Sequence, residues 1–311
     1  MHKLNETITS LAGASESGYR EGIGVEAQFN KVEAIVQLED RYIVSDKMNS
    51  CLRSISYHDY RTSTYAGECT KRRERNIMFN DASLLSVKFF RPRGMATELR
   101  NDITVIYLVD DDALWSINTA MSTITTLSYE VVHNRYQDPL SYPFLTDLVV
   151  HPAGGLLLSA RRLPRQLTGG LVSFRDGKVR WVTGGHNHSY YNHICISSLY
   201  PSVFCTGRKV SLDNLYSLDV LKFLLHDLLI IYSWRQRALA LLNLTSGAIT
   251  PLCDSLDGSR GVFKCDDEII TSLAVDNETV YIGTSYKAIH ILEFQLTGWY
   301  SLILKQITEY G

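Results

Sequence analysis

Val32-Glu-Ala-Ile-Val-Gln-Leu38, Arg41-Tyr-Ile-Val-Ser-Asp46, Cys51-Leu-Arg-Ser-Ile-Ser-Tyr-His58 and Thr62-Ser-Thr-Tyr-Ala-Gly-Glu-Cys69 follow one another with only short polar turns between them. Each run is brief, rich in β-branched and aromatic residues, and without the 3.6-residue period of a helix. Together they read as four antiparallel strands joined by tight turns. The unit recurs. A second copy runs through Gly94–Leu99, Thr104–Asp110, Ala113–Thr119 and Ile124–Glu130. The third takes in Leu145–His151, Gly155–Arg161, Gly170–Arg175 and Val179–Gly184. A fourth covers Leu218–His226, Leu228–Trp234, Ala238–Leu244 and Ala248–Cys253, and a fifth Ile270–Asp276, Thr279–Ser285, Ala288–Phe294 and Tyr300–Ile307.

A four-strand unit repeated with irregular connectors predicts an all-β fold, a β-propeller of four-stranded antiparallel blades forming a single domain over residues 1–311. Five blades are legible. Ile8–Ala12 reads as a fourth strand lacking its own first three, which favours six blades, the sixth cut short at the N-terminus or hidden in Tyr191–Val220. Five is the alternative. The segments Leu11–Asn30, Tyr42–Asp46, Asn49–Ile55 and Ser63–Gly67 resemble the NHL-repeat β-propeller unit, of the extracellular type. Phe89–Gly94 with Ile106–Asp110 is a second match. The resemblance implies a propeller whose usual role is recognition, with an enzymatic branch of amidating lyases that hold zinc through histidines around the axis.

Composition bounds the partners. The 311 residues carry 21% charged side chains and a formal net charge of -2, which excludes a uniformly basic surface for nucleic acid or membrane. The most apolar window, Leu218–Trp234, is broken by Asp219, Lys222, His226 and Asp227, short of the roughly 18 apolar residues of a membrane span. Six cysteines fall into local pairs separated by 18, 10 and 12 residues, none with CxxC spacing. Disulfides Cys51–Cys69, Cys195–Cys205 and Cys253–Cys265 are expected in an oxidising compartment. Cys51 and Cys69 lie symmetrically about Tyr60, so they are expected to face each other across a hairpin. Sequons at Asn5, Asn187, Asn243 and Asn277 agree with a secreted or cell-surface, glycosylated protein. Residues 1–7 carry no leader, so the secretory reading requires one upstream.

Motifs for chemistry are sparse. Gly18–Gly24 lacks the Lys-Ser/Thr of a phosphate loop and reads as a connector whose glycines supply positive φ. His186, His188 and His193 have no carboxylate or thiol at matching spacing and read as a solvated loop. His151 and His226 fall in strand turns. Asp46 and Asp110 end second strands and read as carboxylates capping turns, in preference to a calcium reading of Asp110–Asp112 or Asp266–Glu268. No cofactor or metal is expected.

In such a unit the second-to-third turns and the blade connectors share one face. Ala14–Lys31, Thr70–Arg93, Val131–Phe144 and Gly185–Ser217 are long connectors, and length beyond closure points to function. Basic residues gather there: Lys71, Arg72, Arg73, Arg75, Arg91, Arg93, Arg161, Arg162, Arg165, Arg208, Lys209, Arg235 and Arg237. The expected role is a non-catalytic recognition module that binds a protein through its connector face, or a sulfated glycan or other anionic ligand. A lyase-like or lactonase-like propeller enzyme with an axial metal is the competing class. A cytosolic scaffold or RNA-binding propeller is the third.

Overall fold

A computed structural model describes residues 10–69, 80–111, 113–128, 144–151, 154–161, 170–184, 220–225, 228–233, 238–243, 249–252, 270–276, 279–284, 289–297 and 301–307. The chain divides into two compact units, Met1–Tyr129 and Glu130–Gly311. Among the described residues no helix is long and apolar enough to cross a membrane.

The first unit holds two five-stranded antiparallel sheets. One is built from β1 (Gly22–Ile23), β2 (Val32–Gln37), β3 (Arg41–Asp46), β4 (Cys51–Ser56) and β5 (Arg61–Ala66), in the order β1-β5-β4-β3-β2. The other contains β6 (Ala82–Ser83), β7 (Pro92–Arg100), β8 (Ile103–Asp110), β9 (Ala113–Asn118) and β10 (Thr123–Ser128), in the matching order β6-β10-β9-β8-β7. The second unit has three four-stranded meanders. They comprise β11 (Phe144–Val150) to β14 (Lys178–Gly184) through β12 (Leu156–Arg161) and β13 (Gly170–Arg175); β15 (Val220–Leu225), β16 (Leu228–Ser233), β17 (Ala238–Asn243) and β18 (Ile249–Pro251); and β19 (Ile270–Asp276), β20 (Thr279–Thr284), β21 (Ile289–Thr297) and β22 (Ser301–Ile307). All five expected strand quartets are present, most boundaries within a residue or two. Within the second unit β11 packs beside β15, and β15 beside β19. Most of Tyr191–Val220 lies outside the described residues.

Sequence reading did not anticipate β1 and β6. Each connector of the first unit lays a two-residue strand on the outer edge of its own fourth strand, pairing Gly22 with Thr62 and Ala82 with Ile124. A single 3-10 turn follows, Gly24–Glu26 in one case and Leu84–Ser86 in the other. The connector Ala14–Lys31 is therefore not confined to one end of its sheet: Gly24 N–H donates to Tyr60 O in the third-to-fourth turn, whereas Met48 N–H donates to Asn30 O in the second-to-third turn. Part of its length covers a strand edge that would otherwise template aggregation. Space, not φ, explains Gly22, where a Cβ would lie 2.8 Å from Glu26 Cβ; Gly24 alone within Gly18–Gly24 takes positive φ.

A latch joins successive repeats. Gly67 N–H donates to Leu84 O and Glu68 N–H to Val87 O, while the Phe89 ring covers Gly67 so closely that a Cβ would sit 2.6 Å from it. Residues 11–14 repeat the arrangement: Gly13 N–H donates to Gly24 O, Ala14 N–H to Ala27 O, and Phe29 covers Gly13. Ile8–Ala12, expected as a fourth strand, is described only from residue 10, and residues 10–12 form no strand.

The two sheets of the first unit share one apolar core. Val36, Ile43, Leu52 and Ala66 meet Leu84, Val87, Phe89, Met95, Ile106, Leu108, Trp115, Ile117 and Ile124. Full burial of each large side chain contributes about 1.5–3 kcal/mol. In the second unit Leu228, Ile230, Tyr232, Leu239 and Leu241 pack against Ile270, Leu273, Val280 and Ile282.

Candidate functional site

The connector end of the first two sheets carries the densest polar chemistry among the described residues. Asp46, the last residue of β3, is fully buried. Its Oδ1 accepts Asn30 N–H at 2.7 Å, and Oδ2 accepts Asn49 Nδ2 at 2.8 Å and Arg53 Nη1 at 3.3 Å. Burial pushes this carboxyl above its ordinary value, against the pull of the Asn49 and Asn30 donors and of Arg53. Asp110 does the same work at the end of β8, accepting Phe90 N–H at 2.9 Å and also Arg91 N–H. Both aspartates are caps, but the N–H groups they accept belong to the chain entering a first strand, 16 to 20 residues earlier, and not to the turn that follows the second strand, where the sequence reading placed the bond.

Arg53 is the centre of the first sheet's end. Its side chain is fully buried, and beyond Asp46 it donates to Gln28 O at 3.3 Å and Arg20 O at 3.2 Å. The guanidinium lies 4.6 Å from the centre of the Tyr19 ring and 5.5 Å from that of Phe29. One buried cation thus fixes both arms of the connector. Sequence reading missed it, although a basic residue inside the apolar run Cys51-Leu-Arg-Ser-Ile55 is the signal that marks it.

Beside this lies a charge quartet. Glu33 follows Val32, and Arg93 follows Pro92, the residues paired with Asp46 and Asp110; Lys47 and Asp111 follow those aspartates. Lys47 contacts Glu33, Arg93 Nη1 lies 3.4 Å from Glu33 Oε2, and Arg93 Nε is 3.2 Å from Asp111 Oδ1. Equivalent positions in the two sheets therefore carry opposite signs. Burial and the nearby Arg93 lower the Lys47 ammonium, and Glu33 works the other way. Arg93, read as a connector cation, is buried and ion-paired across the two sheets.

The connector and Leu11 before it also carry exposed apolar and aromatic side chains. Tyr19 is 47% exposed, Ile23 42%, Val25 63% and Leu11 41%. The Tyr19 hydroxyl sits 3.0 Å from Thr64 Oγ1, and Glu21 Oε1 accepts the Thr64 N–H at 2.8 Å and its hydroxyl at 2.9 Å. The Thr64 N–H is the main cause of a lowered Glu21 carboxyl.

Cys51 and Cys69 form a disulfide with Cα atoms 5.0 Å apart. The hairpin beneath it is not centred on Tyr60: Leu52 pairs with Ala66 and Arg53 with Thr64 across a bulge, so Cys69 lies three residues beyond β5 and reaches back. Arg91 stacks on Phe90, 5.0 Å from the ring centre. Asn243 ends β17, half-buried and paired with Leu228. His151 is buried in a turn, its N–H donating to Gly155 O. Arg161 ends β12. Lys71, Arg72, Arg73, Arg75, Asp112, Arg162, Arg165, Arg208, Lys209, Arg235 and Arg237 lie outside the described residues, as do Cys195, Cys205, Cys253, Cys265, Asn5, Asn187, Asn277, His186, His188, His193, His226 and Asp266–Glu268.

No family model matches the chain, and no curated protein does. Solved structures do. A regucalcin from Agrobacterium tumefaciens, described as a calcium-binding protein, superposes with TM-score 0.55 at 12% identity, over 91% of this chain and 74% of that one. A chain of a nidogen/laminin complex gives 0.52 at 12% identity, covering 84% and 75%. A gluconolactonase from Xanthomonas campestris gives 0.52 at 10% identity, covering 86% and 73%. At such identities the likeness speaks to architecture alone. These are six-bladed propellers, and the fold of this chain is an all-β propeller of antiparallel blades.

Proposed function

We propose that the chain is a single recognition domain of NHL type, secreted or displayed at the cell surface, that binds a protein partner through its connectors. The carrying observation is the connector Ala14–Lys31: Arg53 and Asp46 hold it at Arg20, Gln28 and Asn30, with Tyr19 half-exposed against the Arg53 guanidinium, while Ile23 and Val25 stand exposed where it runs on to the third-to-fourth turn. Pre-ordered aromatic and aliphatic groups bind with little further loss of conformational freedom. The polar groups beneath are engaged in structural pairs, with Asp46 and Asp110 on backbone N–H groups and Asp111 on Arg93. The Cys51–Cys69 disulfide supports an oxidising compartment. The recurring latch, phenylalanine and capping aspartate of the first two repeats support the NHL resemblance.

The run Arg72, Arg73 and Arg75, outside the described residues, would add a preference for anionic partners. Heparin is the probe. Retention above physiological ionic strength is expected and should fall when the three are changed to glutamate; elution below it overturns the anionic preference. Metal analysis of the purified protein tests the recognition reading itself, because stoichiometric zinc or calcium together with lactone or peptidyl-hydroxyglycine turnover would replace it by an enzyme.

A further inference from the structure

The Cys51–Cys69 disulfide sits where three structural duties meet. Cys51 opens β4 directly across from Asp46 and is fully buried. Cys69 is only half-buried, and its Sγ lies 3.4 Å from Thr64 Oγ1. Thr64 is the residue that holds Glu21 and Tyr19. Between Ala66 and Cys69 lie Gly67 and Glu68, whose N–H groups make the latch into the second sheet. A single covalent bond therefore stands behind both the latch and the exposed Tyr19 surface.

The other latch shows what the bond adds. Gly13 and Ala14 make the same pair of hydrogen bonds, and the residue that follows them, in the place of Cys69, is Ser15. The latch geometry forms without a crosslink. The disulfide is an addition at one of two equivalent joints, and the ladders from Arg41↔Ser56 to Asp46↔Cys51 and from Leu52↔Ala66 to Ile55↔Thr62 run independently of it.

We infer that Cys51–Cys69 is a redox-sensitive staple on the working surface. Oxidised, it holds residues 67–69 against the second sheet and steadies the Thr64–Glu21–Tyr19 group. A dithiol reductant opens it. One thiolate of the reductant attacks Cys69 Sγ, the more accessible sulfur; the S–S bond breaks, its electron pair leaves on Cys51 Sγ, and that sulfur takes a proton. The second thiol of the reductant then attacks the mixed disulfide and releases Cys69 as a thiol. Two electrons have passed to the protein, and the reductant leaves as a disulfide. The latch and the Tyr19 surface loosen while the sheet remains. Only the biological consequence, control of partner binding, rests on the proposed recognition role.

Hydrogen exchange of the intact chain, with and without dithiothreitol and with thiol alkylation to confirm reduction, tests this. Exchange at Gly67 and Glu68 is expected to accelerate about tenfold or more, with residues 19–24 following, while the β3 and β4 amides and those of Gly13 and Ala14 stay unchanged. Cys69→Ser, which copies the joint at Ser15, should give the same local pattern without reductant. Complete reduction with no change at Gly67 and Glu68 overturns the inference, as does a bond that yields only when the whole sheet unfolds, or a Cys69→Ser variant that loses protection throughout β2–β5. None of these readouts uses a binding partner, so their failure is distinct from failure of the recognition reading.

Discussion

Arg53 and Trp115 occupy the same place in consecutive sheets. Each lies on a third strand, opposite the residue two before the capping aspartate: Arg53 faces Val44, and Trp115 faces Leu108. Each is fully buried against the phenylalanine that enters the sheet, Arg53 5.5 Å from the Phe29 ring centre and Trp115 5.5 Å from that of Phe89. The surroundings differ. Arg53 has Asp46 and the carbonyls of Arg20 and Gln28, so the end of its sheet is a polar hub that grips a connector. Trp115 belongs to the apolar core between the sheets, edge-on to Phe89, and its indole nitrogen has no acceptor among the described residues. One backbone solution, the capped entry with its latch, accepts a charged centre or an aromatic one. The choice decides whether the end of the sheet organises a surface or a core.

The largest effect should come from emptying the aromatic centre. Trp115→Ala removes a fully buried side chain from a core shared by both sheets and is expected to cost about 3–5 kcal/mol. Thermal unfolding of the variant checks it, and a loss below 1 kcal/mol would mean that the core collapses around the gap and that the two centres are not equivalent.

Arg53→Leu should cost about 3 kcal/mol at neutral pH, because it leaves Asp46 buried without its cation. The pH dependence separates this from a packing loss. Asp46 already sits above its ordinary value when folded, and losing Arg53 raises it further. A carboxyl raised in the folded state holds its proton more tightly there than in the unfolded chain. Its ionisation therefore penalises the fold as pH rises from the ordinary carboxyl value through the folded one. The deficit of Arg53→Leu should shrink as pH falls from neutrality towards the ordinary carboxyl range, whereas that of Trp115→Ala should not. Parallel pH profiles would break the contrast.

The sequence carries the two regions unequally. Strand quartets are plain in it because short β-branched and aromatic runs separated by polar turns are a strong signal, and the capping aspartates show because both close β-branched runs. β1 and β6 are invisible at two residues each, since no period can be read from two. The latch is present in the text as Leu11-Ala-Gly-Ala14 and Tyr65-Ala-Gly-Glu68, but its partners come 11 residues later in one repeat and 17 in the other, which hides the register. Arg93 reads as a connector cation because its partner Glu33 is 60 residues away. Long-range pairing of charges leaves no local trace. Arg53 differs: its place inside an apolar run marks it as buried, and only its acceptors, scattered from Arg20 to Asp46, are hidden.

The smallest effect concerns the bulge by which a first strand leaves its neighbour. Ser45 Oγ accepts the Ala34 N–H at 2.8 Å in the first sheet, and Ser159 Oγ accepts the Asp147 N–H at 2.9 Å in the third. Both bulges interrupt the pairing of first and second strands, and the second sheet has one at the same point, between Pro92 and Met95. There the residue before the capping aspartate is Val109, buried and without a hydroxyl. The hydroxyl therefore serves the bulge without being required for it. Ser45→Ala should cost about 1 kcal/mol, the net worth of one partly buried hydrogen bond, with faster exchange confined to the Ala34 amide. A loss comparable with that of Arg53→Leu would instead make Ser45 part of the polar hub, and the first two sheets would then differ at their bulges as well as at their centres.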